Sequence, residues 1–394
     1  MLFSLAILFL TGLLLGAAAE RAHLPRIIGL LAAGLLLGPC ALDVLDASLL
    51  GISADLRKMA LVVILIRAGL SLDPADLKAV GRPAVLMCFV PACFEIAGYV
   101  LLAPRLLGLS AAEAAVMGAV LAAVSPAVVV PRMLRLMEEG WGAGARIPQL
   151  IMAGASCDDV FVIVLFSSFT GLAQGGGFRA ASLLRIPASI VLGVALGAAV
   201  GFALAAFLEK TRVDGVKKLL IVLSAAFLLT AAESAAGGRV PVSGLLAVMA
   251  MGCVLGRKGT PEENQALSVR FGAVWSAAEI LLFVLVGAAV DIRYTLAAGP
   301  MAAALIALCL VFRALGVVCC VAGTKLTRRE RLFCVIAYLP KATVQAAIGA
   351  VPLAMGLGCG EIVLSVAVLG ILITAPLGAI GIDKSYPKLL KKGE

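Results

Sequence analysis

Apolar runs of about twenty residues follow one another along almost the whole chain, and this pattern leaves few folds open. A hydrocarbon layer about 30 Å thick takes roughly 20 apolar residues per helical crossing. Cutting the sequence into such runs, with Pro, Gly and charge as punctuation, gives about thirteen helices. They lie near 2–20, 24–42, 57–72, 82–108, 111–137, 148–172, 183–208, 216–236, 240–256, 269–292, 297–323, 331–354 and 361–381. Only 14% of residues are charged, against about 25% in soluble domains, so lipid must solvate most of the chain. The expected fold class is therefore an all-α polytopic membrane protein. The first run ends in "AAAE" as a secretory signal does, but it lacks the basic start of one and is read as a true span.

Composition also removes several functions. The ten cysteines sit almost entirely inside apolar runs without CxxC spacing, and the single histidine, His23, lies in a loop beside Arg21. The cysteines read as small packing residues rather than disulfides or metal ligands, and a histidine-based metal site or proton relay has no support. A net charge of +9 could suggest nucleic acid, but its distribution gives a better reason. With the N-terminus outside, inside loops and the C-terminus hold 22 Lys and Arg and outside loops 7, leaving Arg67, Arg313 and Lys341 within spans. That asymmetry places the C-terminus in the cytoplasm, and no nucleic acid is expected.

Two pairs of segments look alike. "LPRIIGLLAAGLLLGP" at 24–39 resembles "VPVSGLLAVMAMGCVLG" at 240–256; "LVVILIRAGLSLD" at 61–73 resembles "EILLFVLVGAAVD" at 279–291. In the second pair Gly69 aligns with Gly287 and Asp73 with Asp291. The matching segments are seven apart, an odd offset, so the two halves cross the membrane in opposite senses. Six helices, a linker and six more make an inverted repeat, the architecture of many secondary transporters, with sites on interrupted helices near the midplane. Chance likeness between apolar segments is the competing explanation. Interruptions are expected where proline removes a backbone donor: at Pro126 and Pro131 in the fifth helix and at Pro340 in the twelfth. A proline kink alone is often mere packing. Two at matching places, beside Ser125 and beside Lys341, Thr343 and Gln345, point to a site.

Mid-span ionisable groups are few: Glu95, Asp158, Asp159, Glu279, Arg313 and Lys341. Each costs about 2.5–3.5 kcal/mol at the bilayer centre unless paired or hydrated. Glu95 and Arg313 fall on equivalent helices of the two halves, and a structural ion pair between them is expected; the alternative is that each faces its own water cavity. In "GASCDDVFVIVL", Asp158 and Asp159 point about 100° apart on a helix. One can face a water-filled cavity while the other turns to a basic partner, for which Lys341 is the best candidate. Two carboxylates so close do not both ionise freely. With hydroxyl and freed carbonyl oxygens beside them they suit either a proton or a hard cation, and binding one excludes the other. Glu279 reads as interfacial or cavity-lining, and Arg67 as snorkelling to the interface.

The motifs "SPAVVVPRML", "GASCDDV", "LPKATVQAAIG" and "ILITAPLGAI" resemble, in this order, the NHA-type sodium/proton antiporter group of the monovalent cation/proton antiporter superfamily; "LPRIIGLLAAGLLLGP" is similar to a broader superfamily motif. The likeness spans nearly the whole chain. It implies a sodium/proton antiporter fold with two crossed broken helices. The implied division is 1–81 first-repeat dimerisation helices, 82–172 first half of the core, 173–215 linker helix, 216–296 second-repeat dimerisation helices, 297–381 second half of the core, and 382–394 a short cytoplasmic tail. It implies a homodimer in a cell membrane of the bacterial inner kind, an elevator-like movement, and a role in pH and sodium homeostasis. No cofactor is implied, only transported Na⁺ or Li⁺ and H⁺. Asp159 is the favoured ion ligand, with Asp158, Ser125 and Thr343 beside it and Glu95, Arg313 and Lys341 as a charged network. One position departs from the electrogenic bacterial members, which carry a lysine where Arg313 stands. Arginine does not release a proton, so electroneutral one-for-one exchange is expected; the alternative is that Lys341 substitutes for that lysine. With only "DKSYPKLLKKGE" after the thirteenth segment, no cytosolic nucleotide-binding regulatory domain of the potassium-efflux type is expected. Rival readings are a Na⁺-coupled organic-solute symporter, a channel, and an intramembrane aspartyl protease. The protease would need its aspartates on different helices, so no enzyme activity is expected.

Overall fold

With no water in the hydrocarbon layer, a spanning chain must satisfy its backbone internally, which favours helices. In a computed structural model, backbone is described for residues 1–71, 80–174, 180–211, 213, 215–235 and 242–393, with side chains except at 156, 160, 180–187, 234, 261 and 292–298. Asp73 and Pro241, two residues of the repeat alignment, lie outside the described residues. Among those described there is no strand, only an isolated bridge between Trp141 and Lys392. Among the described residues, nine helices are long and apolar enough to cross a membrane. The other four sequence segments fall on helices that are shorter, more charged or interrupted. These are α2 (Arg26–Leu37), α4 (Ser53–Ser71), α12 (Gly244–Lys258) and the run α15 (Arg328–Ala337), α16 (Thr343–Ile348), α17 (Val351–Ala354).

The helices sort into two compact units. The first comprises Met1–Ala54, Ala75–Gly175 and Phe283–Glu394. It contains α1 (Leu2–Arg21), α2, the short α3 (Ala47–Gly51), α5 (Arg82–Met87), α6 (Val90–Leu107), α7 (Ala111–Leu121), α8 (Pro126–Glu138), α9 (Ile147–Ala173), α14 (Ile292–Val321), α15–α17 and α18 (Gly360–Leu389). Here α6 lies along α14, with Gly98 against the Phe312 ring and Gly316 against the Pro91 backbone.

The second unit comprises Asp55–Pro74 and Gly176–Leu282: most of α4, then α10 (Ala180–Thr211), α11 (Gly215–Ala235), α12 and most of α13 (Pro261–Ala288). Between helices in lipid there is little hydrophobic drive, so close backbone packing at small residues holds them. Gly197 and Gly201 of α10 lie on the Ala247 and Met251 backbone of α12, and Gly69 of α4 lies on Met249. A side chain at Gly197 would overlap the Ala247 carbonyl. Gly197→Val should therefore force α10 from α12 and cost about 1–3 kcal/mol, read as a lower unfolding midpoint in detergent; Gly272→Ala, in open space, should leave it unchanged.

Prolines decide where helices break, though not all as expected. The fifth segment opens between Ala122 and Ser125, and Pro126 begins α8, the first-turn position where its missing N–H costs nothing. Pro131, by contrast, sits inside a continuous α8. The twelfth segment opens at Tyr338–Ala342, around Pro340. A further interruption at Cys88–Phe89 precedes Pro91. Both broken spans start on a capping box, Ser110 with Glu113 at α7 and Thr327 with Glu330 at α15.

Candidate functional site

The two breaks meet. Ser125 N–H donates to the Pro340 carbonyl at 2.7 Å, joining the gap between α7 and α8 to the gap before α16. Around this contact the fold gathers the mid-span charges of the first unit, all of them buried.

Backbone groups freed by the breaks do much of the binding. Pro126 has no N–H to give the carbonyl four residues back, and that carbonyl, Ala122 O, accepts from Arg313 Nη1. Pro91 likewise leaves Met87 O free, and it accepts the Tyr338 hydroxyl at 3.1 Å. Leu121 O accepts from Lys341 Nζ at 2.5 Å, and Ala123 O from Gln345 Nε2 at 2.9 Å. The amide of Val124 donates to Asp158 Oδ2 at 2.9 Å. Three carbonyls at the α7–α8 break are thus already bonded to side chains. The oxygens left over belong to side chains: Asp158 Oδ1, Asp159 Oδ1, Ser125 Oγ, Thr343 Oγ1 and Gln345 Oε1 have no hydrogen-bond partner among the described residues.

The ion pairs differ from expectation in one respect. Arg313, on α14, bridges two acids: Nη1 lies 2.9 Å from Glu95 Oε2 and Nη2 lies 2.9 Å from Asp158 Oδ2. Its Nε donates to Tyr338 O at 2.5 Å, and its guanidinium stands 5.1 Å from the Tyr338 ring centre. Lys341 does not take an aspartate. It sits on Glu95, 2.8 Å from Oε2 and 2.7 Å from Oε1. The planar fork of arginine reaches several acceptors at once where an ammonium is a point charge. Arg313, entering from α14, therefore fills the position beside Asp158.

Asp159 stands apart. Among the described residues it has no ion pair, and it retains 8% exposure while Asp158, Glu95, Arg313 and Lys341 have none. Successive positions on α9 explain the contrast, since a step of 100° turns Asp158 to Arg313 and Asp159 away. Sequence reading missed three contributors: Thr374, whose hydroxyl accepts the Lys341 amide at 3.0 Å; Tyr338; and the Val124 amide. A lone hydroxyl residue in the apolar run "ILITAPLGAI" was the one available signal for Thr374. Away from this site, Arg67 and Glu279 both lie half-buried in the second unit.

A family model described as "Sodium/hydrogen exchanger, transmembrane" matches residues 5–383. The chain belongs to the sodium/hydrogen exchanger family. Sodium/hydrogen exchanger 9B2 of Mus musculus is 36% identical over 331 residues, 79% of this chain and 58% of that protein. The 9B2 exchanger of Homo sapiens is 37% identical over 319 residues, 78% and 58% respectively. The alignment with these curated relatives therefore spans little more than half of their length. The sodium proton antiporter MjNhaP1 of Methanocaldococcus jannaschii superposes with a TM-score of 0.83 at 22% identity, covering 99% of this chain and 98% of that one. This likeness establishes the antiporter fold for the exchanger family member described here, a multi-pass membrane protein, and agrees with the resemblance drawn from its motifs.

Proposed function

We propose that the chain exchanges Na⁺ or Li⁺ for H⁺ by alternating access, one for one, with Asp159 as the principal ion ligand. One observation carries this reading. The buried cluster holds three acids, Glu95, Asp158 and Asp159, against two bases, Arg313 and Lys341, and among the described residues the pairing leaves Asp159 without a base. A single added positive charge neutralises the cluster. A proton on Asp159 supplies it, and so does one Na⁺ held by Asp159, Asp158 Oδ1 and the Ser125 and Thr343 hydroxyls. Hard alkali ions favour such oxygen ligands. Because both occupants deliver the same charge, the loaded core is equally neutral either way, which supports electroneutral exchange. An empty core keeps a buried surplus charge, costly in a membrane, and that cost discourages crossing unloaded.

The same reading takes 82–172 and 297–381 as the moving core, 1–81 and 216–296 as dimerisation helices, 173–215 as a linker helix, and a homodimer with outside N-terminus and cytoplasmic C-terminus in a cell membrane. The capping boxes opening both broken spans, at Ser110 and Thr327, support the inverted repeat.

The deciding experiment uses the purified full chain in sealed proteoliposomes with an imposed pH gradient. Adding Na⁺ or Li⁺ should drive proton movement, unaltered when the membrane potential is clamped at zero. If folded protein moves no protons with Na⁺, Li⁺ or K⁺, exchange is refuted and Na⁺-coupled solute symport takes its place. Proton movement that collapses or accelerates on clamping would keep exchange and remove the one-for-one ratio.

A further inference from the structure

A cavity of about 670 Å³ opens in the first unit, between the α8–α9 loop, the α14–α15 loop and the segment after α18. We infer that it is a binding site for a phosphate ester. Four basic side chains line it, Arg146, Lys325, Lys391 and Lys392, against one acid, Glu330. That acid is already engaged: its Oε2 accepts the Thr327 amide at 2.7 Å and the Thr327 hydroxyl at 2.9 Å. A concave wall of one sign focuses potential and draws a counter-ion.

The chain invests structure in keeping these charges together. Gly142 N–H donates to Lys391 O and Gly393 N–H to Gly140 O, both at 2.8 Å, which pins the lysine segment to the loop. Gly140 and Gly142 have φ of 79° and 69°, a region that favours glycine, so the loop's shape is written in its sequence. Trp141 between them lies 5.2 Å from the Tyr386 ring and 5.7 Å from Lys392 Nζ. Two helix N-termini also border the cavity. That of α15 is capped by Thr327, while that of α9, begun by Arg146, has no side-chain cap. Helix starts favour anions.

Chemistry and size narrow the ligand. Arginine and lysine together suit phosphate oxygens. The volume falls within the roughly 300–1,000 Å³ of small-molecule pockets and exceeds what bare phosphate fills. A phosphate on an organic body fits, either the headgroup of an anionic phospholipid or a soluble phosphate ester.

Binding is read from the unfolding midpoint of the full chain in neutral detergent, titrated separately with glycerol 3-phosphate and with phosphatidylglycerol, with phosphatidylcholine as the lipid control. One or both anionic probes should raise the midpoint. In the double variant Lys325→Gln/Lys391→Gln the concentration for half effect should rise about tenfold or more. Lys384→Gln/Lys388→Gln, the same charge change outside the cavity, should behave as wild type. A shift with phosphatidylglycerol alone identifies a lipid headgroup; a shift with glycerol 3-phosphate identifies a soluble ester. If neither probe shifts the midpoint, or both double variants respond alike, the site does not exist.

Discussion

Asp159→Asn should abolish cation-driven proton movement, by about a hundredfold or more and down to the leak of empty vesicles, while the protein folds at least as well as wild type. The shape is kept and only the charge is lost. Asparagine balances the cluster at two acids and two bases, so neither a proton nor Na⁺ is needed to neutralise it. Because Asp159 has no basic partner among the described residues, removing its charge breaks no ion pair. It relieves a buried surplus instead, and the unfolding midpoint should hold or rise, by at most about 2–3 kcal/mol in stability. Asp158→Asn makes the same charge change but takes a partner from Arg313, and its midpoint should fall. In wild type, competition at one carboxylate makes the apparent Na⁺ affinity fall as pH drops, by up to about tenfold per unit once the proton dominates. Wild-type proton movement in Asp159→Asn, or an Asp159→Asn midpoint well below that of Asp158→Asn, would remove Asp159 from the site.

Much of this site was readable because lipid makes polarity conspicuous. In a chain with so few charges, Glu95, Asp158, Asp159, Arg313 and Lys341 stand out one by one, and the structure places all five around the two breaks. Pro126 and Pro340 marked the breaks for a similar reason, since a missing N–H is a property of the residue itself. Pairing was less legible. Lys341 is adjacent to Pro340 and looked suited to an aspartate, yet a lysine's reach is set by where its helix enters. Rotation of α14, which no short pattern encodes, gave Asp158 to Arg313. Pro131 shows the same limit from the other side. Its residue type is that of a breaker, but α8 continues through it. Freed carbonyls were foreseeable in kind, but their partners were not, because bonding to Arg313, Lys341 and Gln345 depends on distant segments.

The largest loss of stability should come from Arg313→Met. Methionine fills similar volume and is at home in lipid, so the change isolates the guanidinium. Four acceptors depend on that group: Glu95, Asp158, Ala122 O and Tyr338 O. Glu95 keeps Lys341. Asp158 keeps only the Val124 amide and becomes a buried carboxylate without a counter-charge. Breaking one side of a buried pair costs about 3–5 kcal/mol, and each orphaned carbonyl adds about 1–3 kcal/mol. Such a variant should be recovered from membranes in low yield, with a midpoint far below wild type. Arg313→Lys should fall between, because one ammonium does not span four acceptors. The informative variant is the double, Arg313→Met with Asp158→Asn. It removes the charge that the single change strands, so it should regain a large part of the lost stability although it carries one more substitution. Non-additivity of this kind is the signature of a direct pair. Additive losses in the double, or Arg313→Met within about 1 kcal/mol of wild type, would mean that Arg313 does not hold the crossing of the broken helices together.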